Sequence, residues 1–453
     1  MTRSEAWSGR VGFILATIGS AVGLGSIWKF PYEVGANGGS AFLLFYLAGL
    51  VLIVVPLMLA EMAIGRRGRG DPAKSIAAVA AEYGAGRRWA AFGVLGVVVS
   101  FLILSFYSVI GGWTLRYAWR TAWSGLPAVD PRVVQAEYEA FLASPVEMLG
   151  YHALFMAVTG AIVARGVAGG IERAVKVLMP ALAVLMVALA AYGVLEGDLR
   201  STLRFLLRVD PQYLTARTAI EALGLGFFSI GVGLGLMITY AAYSGTDIDL
   251  TRAAIVSVVA DTAISLMAGL AVFPIVFAHG LDPAGGPGLV FITLPLAFAQ
   301  MPLGLTAAMA FYVLLFVAAL ASAISLLEPL VAVLMRRMGW GRPLAALAGG
   351  LACFVFGLAT VLSFSLWSAW FPLGGIDAFA RATFFDLLDE LTSNVLLPVG
   401  GLAIALFAGW AVPRRLLQEE LRLGPRGTAA MTVALRYVVP LGILVLALPW
   451  FFR

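Results

Sequence analysis

Two glycine-rich interruptions inside long hydrophobic segments constrain this chain more than any other feature. The first, Gly19-Ser-Ala-Val-Gly-Leu-Gly25, lies inside a segment that begins near Val11 and ends near Lys29. The second, residues 224–235, lies inside the hydrophobic segment 219–243. A helix broken at membrane depth frees backbone groups that lipid cannot satisfy, so the break persists only beside a cavity or ligand. Breaks at matching places in two halves of a membrane chain predict the central site of a secondary transporter.

The composition places the chain in a membrane. Of the 453 residues, 61% are hydrophobic and 12% are charged, and the mean hydropathy is +0.96. We predict an all-α polytopic membrane protein with eleven transmembrane helices. The predicted spans cover residues 11–35, 40–65, 90–122, 147–164, 174–195, 216–243, 253–279, 304–335, 343–367, 392–412 and 430–452. They form a single transporter domain over residues 1–453, with repeat one at about 11–195, repeat two at about 216–412 and an extra helix at about 430–452.

Basic residues set the predicted orientation. Most of the 30 lysine and arginine residues fall on the cytoplasmic side if the N-terminus is cytoplasmic, which is the arrangement that the positive-inside rule favours. We therefore expect a multi-pass protein of the cell's inner (plasma) membrane, surrounded by lipid. The formal net charge of +5 is explained by this distribution and indicates no nucleic-acid partner. No feature indicates an oligomeric state.

Few residues offer enzymatic or metal-cluster chemistry. The single cysteine, Cys353, excludes a disulfide framework within the chain and a multi-cysteine cluster. The two histidines, His152 and His279, leave little for metal ligation or acid–base work. No nucleophile–base pair is apparent, so we do not expect an enzyme.

Three carboxylates inside predicted spans are candidates for function, because intramembrane charges are costly. Glu61 either reaches water at the cytoplasmic end of its span or accepts hydrogen bonds from unwound backbone amides. Glu328, which precedes Pro329, has the same two interpretations. Asp261 lies deeper, and a lone buried carboxylate must bind a cation, meet a donor or take up a proton.

Two further features have an ordinary structural interpretation beside the functional one. Ser322 and Ser325 could simply bond back to their own helix, the usual behaviour of such residues. The glycines of the first span could serve close helix packing. Glycine clusters at both matching spans favour the broken-helix interpretation.

Several motifs, in order along essentially the whole chain, resemble those of neurotransmitter:sodium symporters. The motifs are Trp7-Ser-Gly-Arg10, Ala21-Val-Gly-Leu-Gly25, Phe30-Pro31, Asn37-Gly-Gly39, Pro56-Leu57 with Glu61, Gly65-Arg66, Phe106-Tyr107 with Trp113, Phe227-Phe228-Ser229 and Ser322-Ala-Ile-Ser-Leu-Leu-Glu-Pro329. The eleven-span length is similar to that of the bacterial amino-acid transporters of this family. The resemblance implies an inverted five-plus-five repeat in which helices 1 and 6 are unwound.

The resemblance also implies a site for an amino acid, with sodium ions beside it. The implied substrate-binding residues are Ser20, Ala21, Leu24, Gly25, Ile103, Tyr107, Phe228, Ser229, Gly231, Leu234, Ser322 and Leu326. The implied sodium ligands are Ala21, Ser26, Ser229 and Asp261 at a first site, and Gly19, Val22, Ala318 and Ser322 at a second. Lys29 and Asp389 would form the outer gate with Tyr107 and Phe228.

This chain departs from the family pattern at several of these positions. Ser26 stands where the family usually has a longer Asn, and Ala321 stands where the second sodium site usually has a hydroxyl or acid. That second site is therefore expected to be weak or empty. The chloride-site Gln is replaced by Leu225, although Tyr46 and Ser265 remain, and Asp261 supplies a fixed negative charge, so we expect no chloride requirement. Ser4 and Arg336 replace the usual inner latch, which we expect to be absent.

These observations predict a secondary active transporter that imports neutral, hydrophobic or aromatic L-amino acids, coupled to sodium by alternating access. Proton coupling through Asp261 and uncoupled transport remain as alternatives within the same class. An amino-acid sensor that binds its ligand without moving it is the alternative from another class.

Overall fold

In this computed structural model the described residues are 5–127, 129–283 and 288–451, and they form helices with no β-strand among them. In chain order the helices are α1 Arg10–Ala21, α2 Gly25–Ala36, α3 Ser40–Gly68, α4 Pro72–Glu82, α5 Arg87–Ser124, α6 Pro131–Leu142, α7 Pro145–Ala164, α8 Val167–Glu196, α9 Leu199–Leu207, α10 Ala216–Ile230, α11 Leu236–Ala242, α12 Leu250–Ala278, α13 Leu294–Phe298, α14 Gly304–Met338, α15 Arg342–Phe364, α16 Phe384–Ala411, α17 Arg415–Leu421 and α18 Pro425–Val445.

Ten helical units can cross a membrane by length and hydropathy within the described residues. Nine are single helices, namely α3, α5, α7, α8, α12, α14, α15, α16 and α18. The tenth is the pair α1 and α2, which meet at a bend of 50°. The predicted count of eleven additionally requires α10 and α11 to act as one broken span, and that count stays a prediction. The predicted span ends agree with the helix ends to within a few residues in most cases. The largest differences among the helix starts are α16, which begins eight residues before the predicted start at 392, and α8, which begins seven residues before the predicted start at 174.

The helix starts follow local chemistry. Asp71 and Asp249 cap α4 and α12 by accepting hydrogen bonds from the backbone N–H groups of Lys74 and Arg252. Such side-chain caps satisfy amides that have no partner inside the helix. Proline occupies the first turn of α4, α6 and α7, where its missing N–H is tolerated.

The two helix breaks, between α1 and α2 and between α10 and α11, lie at the centre of the bundle. Helix α1 packs against α8, α12 and α14, while α11 packs against α3. The long helices α5 and α14 pack along each other beside the breaks. In an 18-residue hydrophobic stretch of α14, 83% is buried inside the protein, whereas in the corresponding stretch of α7 only 33% is buried. Helix α14 is therefore an interior helix, and α7 lies at the lipid-facing periphery.

Glycine determines the backbone at the second break. Gly231, Gly233 and Gly235 have φ of +71°, +89° and +72°, in the left-handed region that other residues rarely adopt. A Cβ on Gly233 would also lie 2.7 Å from the Leu397 carbonyl oxygen. The alternation of glycine over residues 231–235 thus ends α10 and lets α11 start in a new direction.

Candidate functional site

A cavity of about 30 Å³ lies between the two breaks. It is lined by Ser20, Gly23, Leu24, Gly25, Ile103, Tyr107, Phe228, Ser229, Gly231, Leu234, Leu236, Ser322 and Leu326. The structure therefore brings together all the predicted substrate-binding residues except Ala21, which is fully buried beside the break but does not line the cavity. Among the described residues, no charged side chain lines this central cavity, so its lining side chains are apolar apart from four hydroxyl groups.

Two lining residues were missed by the sequence reasoning. Gly23 faces Ser322 and Tyr107, because a Cβ there would lie 3.0 Å from the Tyr107 hydroxyl. Leu236 begins α11, and its Cδ1 lies 3.2 Å from where a Gly231 Cβ would stand. The glycine run around Gly23 was a usable signal for a close approach. Leu236 had no such signal, since its place in the wall depends on the turn at 231–235.

Tyr107 fixes one end of the cavity. The Leu24 backbone N–H at the first break donates a hydrogen bond of 3.2 Å to the Tyr107 hydroxyl oxygen. The Tyr107 hydroxyl proton is consequently available to an acceptor in the cavity. Since α2 starts at Gly25, the positive end of its dipole also points at this place. The arrangement suits a carboxylate.

Asp261 forms a second polar centre with three hydroxyl groups. Ser26 donates to Oδ1, Ser229 donates to the same oxygen over 3.1 Å, and Tyr46 donates to Oδ2 over 3.3 Å. Asp261 is fully buried, and within the described part of the chain it pairs with no lysine, arginine or histidine. An all-oxygen set with one uncompensated carboxylate suits a hard cation such as sodium. The structure thus gathers the predicted side-chain ligands Ser26, Ser229 and Asp261 in one place.

Ser322 joins α14 to the first break. Its hydroxyl donates toward the carbonyl oxygens of Gly19 and Val22, at 3.4 and 3.2 Å. It therefore bonds to another helix, in contrast with the ordinary interpretation of bonding back to its own. Ala321 also faces the first break, because its Cβ lies 3.5 Å from where a Cβ added to Gly19 would stand. Of the predicted second sodium site, Gly19, Val22 and Ser322 are adjacent, Ala318 is buried on α14, and Ala321 presents a methyl group.

Glu61 supports the second break. It is fully buried on α3, and its Oε1 accepts a 2.6 Å hydrogen bond from the Gly233 backbone N–H. The interpretation of Glu61 as an acceptor for unwound backbone amides is confirmed by this contact. Glu328 behaves differently: it accepts from the Tyr243 hydroxyl over 2.8 Å and from both terminal nitrogens of Arg342. Neither carboxylate reaches water.

A larger cavity of about 910 Å³ lies above the central one and shares Leu24, Tyr107 and Phe228 with it. Its lining includes residues in the ranges 216–221 and 385–394. These ranges adjoin or overlap the connections 196–215 and 368–391 between predicted spans, which a cytoplasmic N-terminus would place outside, and we call this side the outer face. Lys29 and Asp389 both line this cavity. The Lys29 Nζ lies 4.9 Å from the centre of the Phe228 ring, and Asp389 accepts from the Ser393 hydroxyl over 2.9 Å. The predicted Lys29–Asp389 gate pair is not formed in this structure.

The opposite side, which carries residues 69–71, 244–249 and 339–341 and is here called the inner face, is closed by packing. The Trp7 indole N–H donates to the Tyr240 carbonyl over 2.9 Å. The Ser8 backbone N–H donates to Glu172 on α8 over 2.7 Å, and Tyr240 donates to Ser325 over 2.8 Å. These contacts tie the N-terminal segment and α11 to α8 and α14.

Ion pairs strengthen the inner face in a pattern that the sequence did not predict. Arg336 occupies a position of the usual inner latch, and the latch was expected to be absent for that reason. In the structure Arg336 forms an ion pair with Asp71 in the loop before α4. The other predicted latch position, Ser4, lies outside the described residues. The Arg67 guanidinium hydrogen-bonds Glu82 at the end of α4, and this contact holds the pKa of Glu82 below its ordinary value.

A multi-span helical bundle with a cavity between two broken helices defines a secondary transporter. The family model of the sodium:neurotransmitter symporter family matches residues 4–133 and 146–382. The chain belongs to this family, and it is accordingly a multi-pass membrane transporter of a sodium-dependent class and not an enzyme.

Individual relatives are similar to this chain over nearly the full length of both proteins. An uncharacterized sodium-dependent transporter of Bacillus subtilis, YhdH, is 36% identical over 446 residues, which is 98% of this chain and 96% of that protein. A second, from Haemophilus influenzae, is 30% identical over 98% of this chain and 97% of its own length. The crystal structure of MhsT in complex with L-phenylalanine superposes with a TM-score of 0.89 at 42% identity, and covers 98% of this chain and 99% of that one.

Proposed function

We propose that this chain imports a neutral, hydrophobic or aromatic L-amino acid together with sodium by alternating access. The observation that carries the proposal is the central cavity. Its side walls are apolar and uncharged, while its polar groups gather at the break in the first span. L-Phenylalanine bound to the similar protein MhsT supports a substrate of this class.

The two ends of an amino acid meet different chemistry in this cavity. The substrate carboxylate would accept from the Tyr107 hydroxyl and face the start of α2. Its ammonium group would face carbonyl oxygens freed where α1 and α10 end, since helix C-termini favour cations. The side chain would lie against Ile103, Leu234 and Leu326. A cavity of about 30 Å³ is too small for a bulky side chain, so Phe228 must swing toward the outer cavity on entry.

Sodium would occupy the two polar centres as a co-transported substrate. We propose Ser26, Ser229, Asp261 and the Ala21 carbonyl for the first site. The second would use Ser322 with the carbonyls of Gly19, Val22 and Ala318, and it is expected to hold sodium loosely. One sodium ion entering down 100 mV supplies about 2.3 kcal/mol, which is sufficient for roughly fifty-fold accumulation.

The fixed charge of Asp261 also supports transport without chloride. A carboxylate beside a sodium ion balances its charge, as a bound anion would. Leu225, which is buried and replaces the chloride-site Gln of the family, has no group that donates to an anion. We further propose that the protein resides in the inner (plasma) membrane with a cytoplasmic N-terminus, so that the outer cavity faces the cell exterior.

Uptake into proteoliposomes tests this function. Labelled leucine, phenylalanine, tryptophan, lysine and glutamate are offered with sodium or choline outside, at two pH values. The proposal expects sodium-dependent, time-dependent uptake of the apolar amino acids only. Uptake that follows pH instead of sodium would indicate proton coupling, and ligand binding without uptake would indicate a sensor. Better binding of lysine or glutamate than of leucine or tryptophan would contradict the proposed substrate class.

A further inference from the structure

Helix α9, in the connection 196–215 at the outer face, has one side packed against the protein. Thr202 and Leu206 are buried on that side. The Phe205 ring lies 5.3 Å from the ring of Phe273 and 5.4 Å from the ring of Phe277, both on α12. These contacts determine which side of α9 is left facing outward.

Both ends of α9 are held as well. The Asp198 backbone N–H, directly before the helix, donates to the Pro274 carbonyl oxygen over 2.8 Å. The Ser40 hydroxyl donates to the carbonyl oxygen of Arg208, directly after the helix, over 2.7 Å. Because Ser40 begins α3, a ligand on α9 would also stabilise the connection between the first two spans.

The outward side of α9 carries two adjacent stripes of side chains. Leu203 and Leu207 are 42% and 73% exposed, and residues four apart lie on the same face of a helix. Arg200 and Arg204, also four apart, form the neighbouring stripe, and Arg208 follows at the end of the helix. All three arginines are exposed. A helix in contact with water alone would not present this row of leucines.

The arginines of this stripe are free to bind an anion. Within the described residues no ion pair includes Arg200, Arg204 or Arg208, whereas Arg116 and Arg120 at the same face are paired with glutamates. The exposed side of α9 therefore carries positive charge only.

The carboxylates closest in sequence flank α9 and do not lie on it. Glu196 ends α8. Asp198 accepts from the Ser201 backbone N–H and hydroxyl over 2.9 and 2.6 Å, and Asp210 accepts from Gln212 over 3.1 and 2.9 Å. The last two are thus engaged by neighbouring polar groups.

The stripes match the boundary between lipid hydrocarbon and headgroups. Only 33% of an 18-residue hydrophobic stretch of α8 is buried inside the protein, and Leu195 on its last turn is 80% exposed. Lipid-facing surface therefore leads directly to the leucines of α9. Leucines beside arginines are typical of a helix that lies in the membrane interface. The planar guanidinium group matches phosphate through two parallel hydrogen bonds.

We propose that the exposed side of α9 binds the headgroup of an anionic phospholipid, such as phosphatidylglycerol, in the leaflet at the outer face. The phosphate lies against Arg200, Arg204 and Arg208, and an acyl chain lies along Leu203 and Leu207. A zwitterionic lipid matches less well, because its own ammonium group compensates the phosphate. The inference goes beyond the proposed transport function, and its test requires no transport.

The test measures lipid binding to the purified full-length protein in a neutral detergent. Dioctanoyl-phosphatidylglycerol and dioctanoyl-phosphatidylcholine are titrated separately, and the midpoint of thermal unfolding gives the apparent affinity. Phosphatidylglycerol should bind at least about tenfold more tightly, since each basic residue beside an anionic lipid contributes about fivefold. Arg200→Gln/Arg204→Gln should accordingly weaken its binding by roughly twenty-five-fold. Equal affinity of the wild type for the two lipids, or full affinity in the folded double variant, would overturn the proposal.

Two controls separate this site from general electrostatics. Arg132→Gln/Arg381→Gln removes the same charge from exposed positions elsewhere at the outer face, and it should bind phosphatidylglycerol as the wild type does. An equal loss in this control would assign the attraction to net charge and contradict a site on α9. Glycerol phosphate, a headgroup without acyl chains, should leave the midpoint unchanged at the same concentrations. A shift as large as that produced by phosphatidylglycerol would mean that the site takes a soluble anion and not a lipid.

Leu207→Gln provides a second variant if the double arginine variant does not fold. It retains all three arginines and changes a side chain that is 73% exposed, so the protein should fold normally. Phosphatidylglycerol binding should weaken at least about threefold, because the acyl chain loses an apolar contact. Unchanged affinity in this variant would contradict the placement of the lipid along the leucine stripe.

Discussion

Replacing Gly233 by alanine should damage both the stability and the site of this transporter. The residue has φ of +89°, and a left-handed conformation costs a residue with a Cβ roughly 1–2 kcal/mol. The new methyl group would stand 2.7 Å from the Leu397 carbonyl oxygen and 2.9 Å from the Gly401 nitrogen. Because both are backbone atoms of a packed helix, overpacking adds about 1–3 kcal/mol. The sum is about 2–5 kcal/mol.

The same displacement would disturb the hydrogen bond from the Gly233 N–H to Glu61, which supports the second break. We therefore expect a lower midpoint of thermal unfolding in detergent and at least tenfold slower uptake per folded molecule. Gly160→Ala on α7 is the matched control, since nothing lies within 4 Å of its Cβ position, and its stability should stay the same or rise by up to about 1 kcal/mol. A Gly233→Ala protein as stable and active as the Gly160→Ala control would show that neither the left-handed backbone nor the close packing at residue 233 is required.

Four further predictions concern ions, substrate size and the gate. Ala321→Thr should raise the apparent sodium affinity of uptake by adding an oxygen at the second site, and an unchanged sodium dependence would show that the missing hydroxyl does not matter. Replacing chloride by gluconate should leave uptake unchanged, because Asp261 carries the compensating charge; uptake that collapses in gluconate counts against this. Leu326→Trp should fill the cavity and therefore abolish tryptophan binding while it preserves alanine binding. It avoids the backbone strain that a substitution at Gly231 would cause, because Gly231 has φ of +71°. Equal loss of binding of both ligands would point to misfolding. Asp389→Asn should slow transport far more than it lowers folded yield, since the gate pair is not formed in this structure and a pair near bulk solvent contributes only about 1 kcal/mol when it forms; an equal loss of rate and yield would make its role structural.

The sequence predicts the fold well because hydrophobic length and glycine placement are local signals. The breaks at residues 22–24 and 231–235 fall inside the predicted glycine clusters. Glu61 was recognisable as a functional carboxylate because an intramembrane charge requires a partner, and Gly233 supplies it. The predicted cavity lining also comes together, since it follows the two breaks and the faces of α5 and α14.

Partners that depend on the packing of distant segments were not predictable in this way. Glu172 and Ser8 are separated by 164 residues, and nothing in either segment identifies the other. Arg336 was assigned no partner, whereas the turn before α4 brings Asp71 to it. The pair of Glu328 with Arg342, 14 residues apart across one turn, is the exception that charge placement could have suggested.

The proposed function depends above all on the coupled flux of sodium and amino acid through one central site. It is tested most directly by measuring labelled sodium and labelled L-phenylalanine together in proteoliposomes, with the membrane potential clamped at zero. An inward gradient of phenylalanine should drive sodium inward in a fixed ratio, and sodium entry should stop when phenylalanine is omitted. Phenylalanine uptake at full rate in choline, with no accompanying sodium, would contradict sodium-coupled transport.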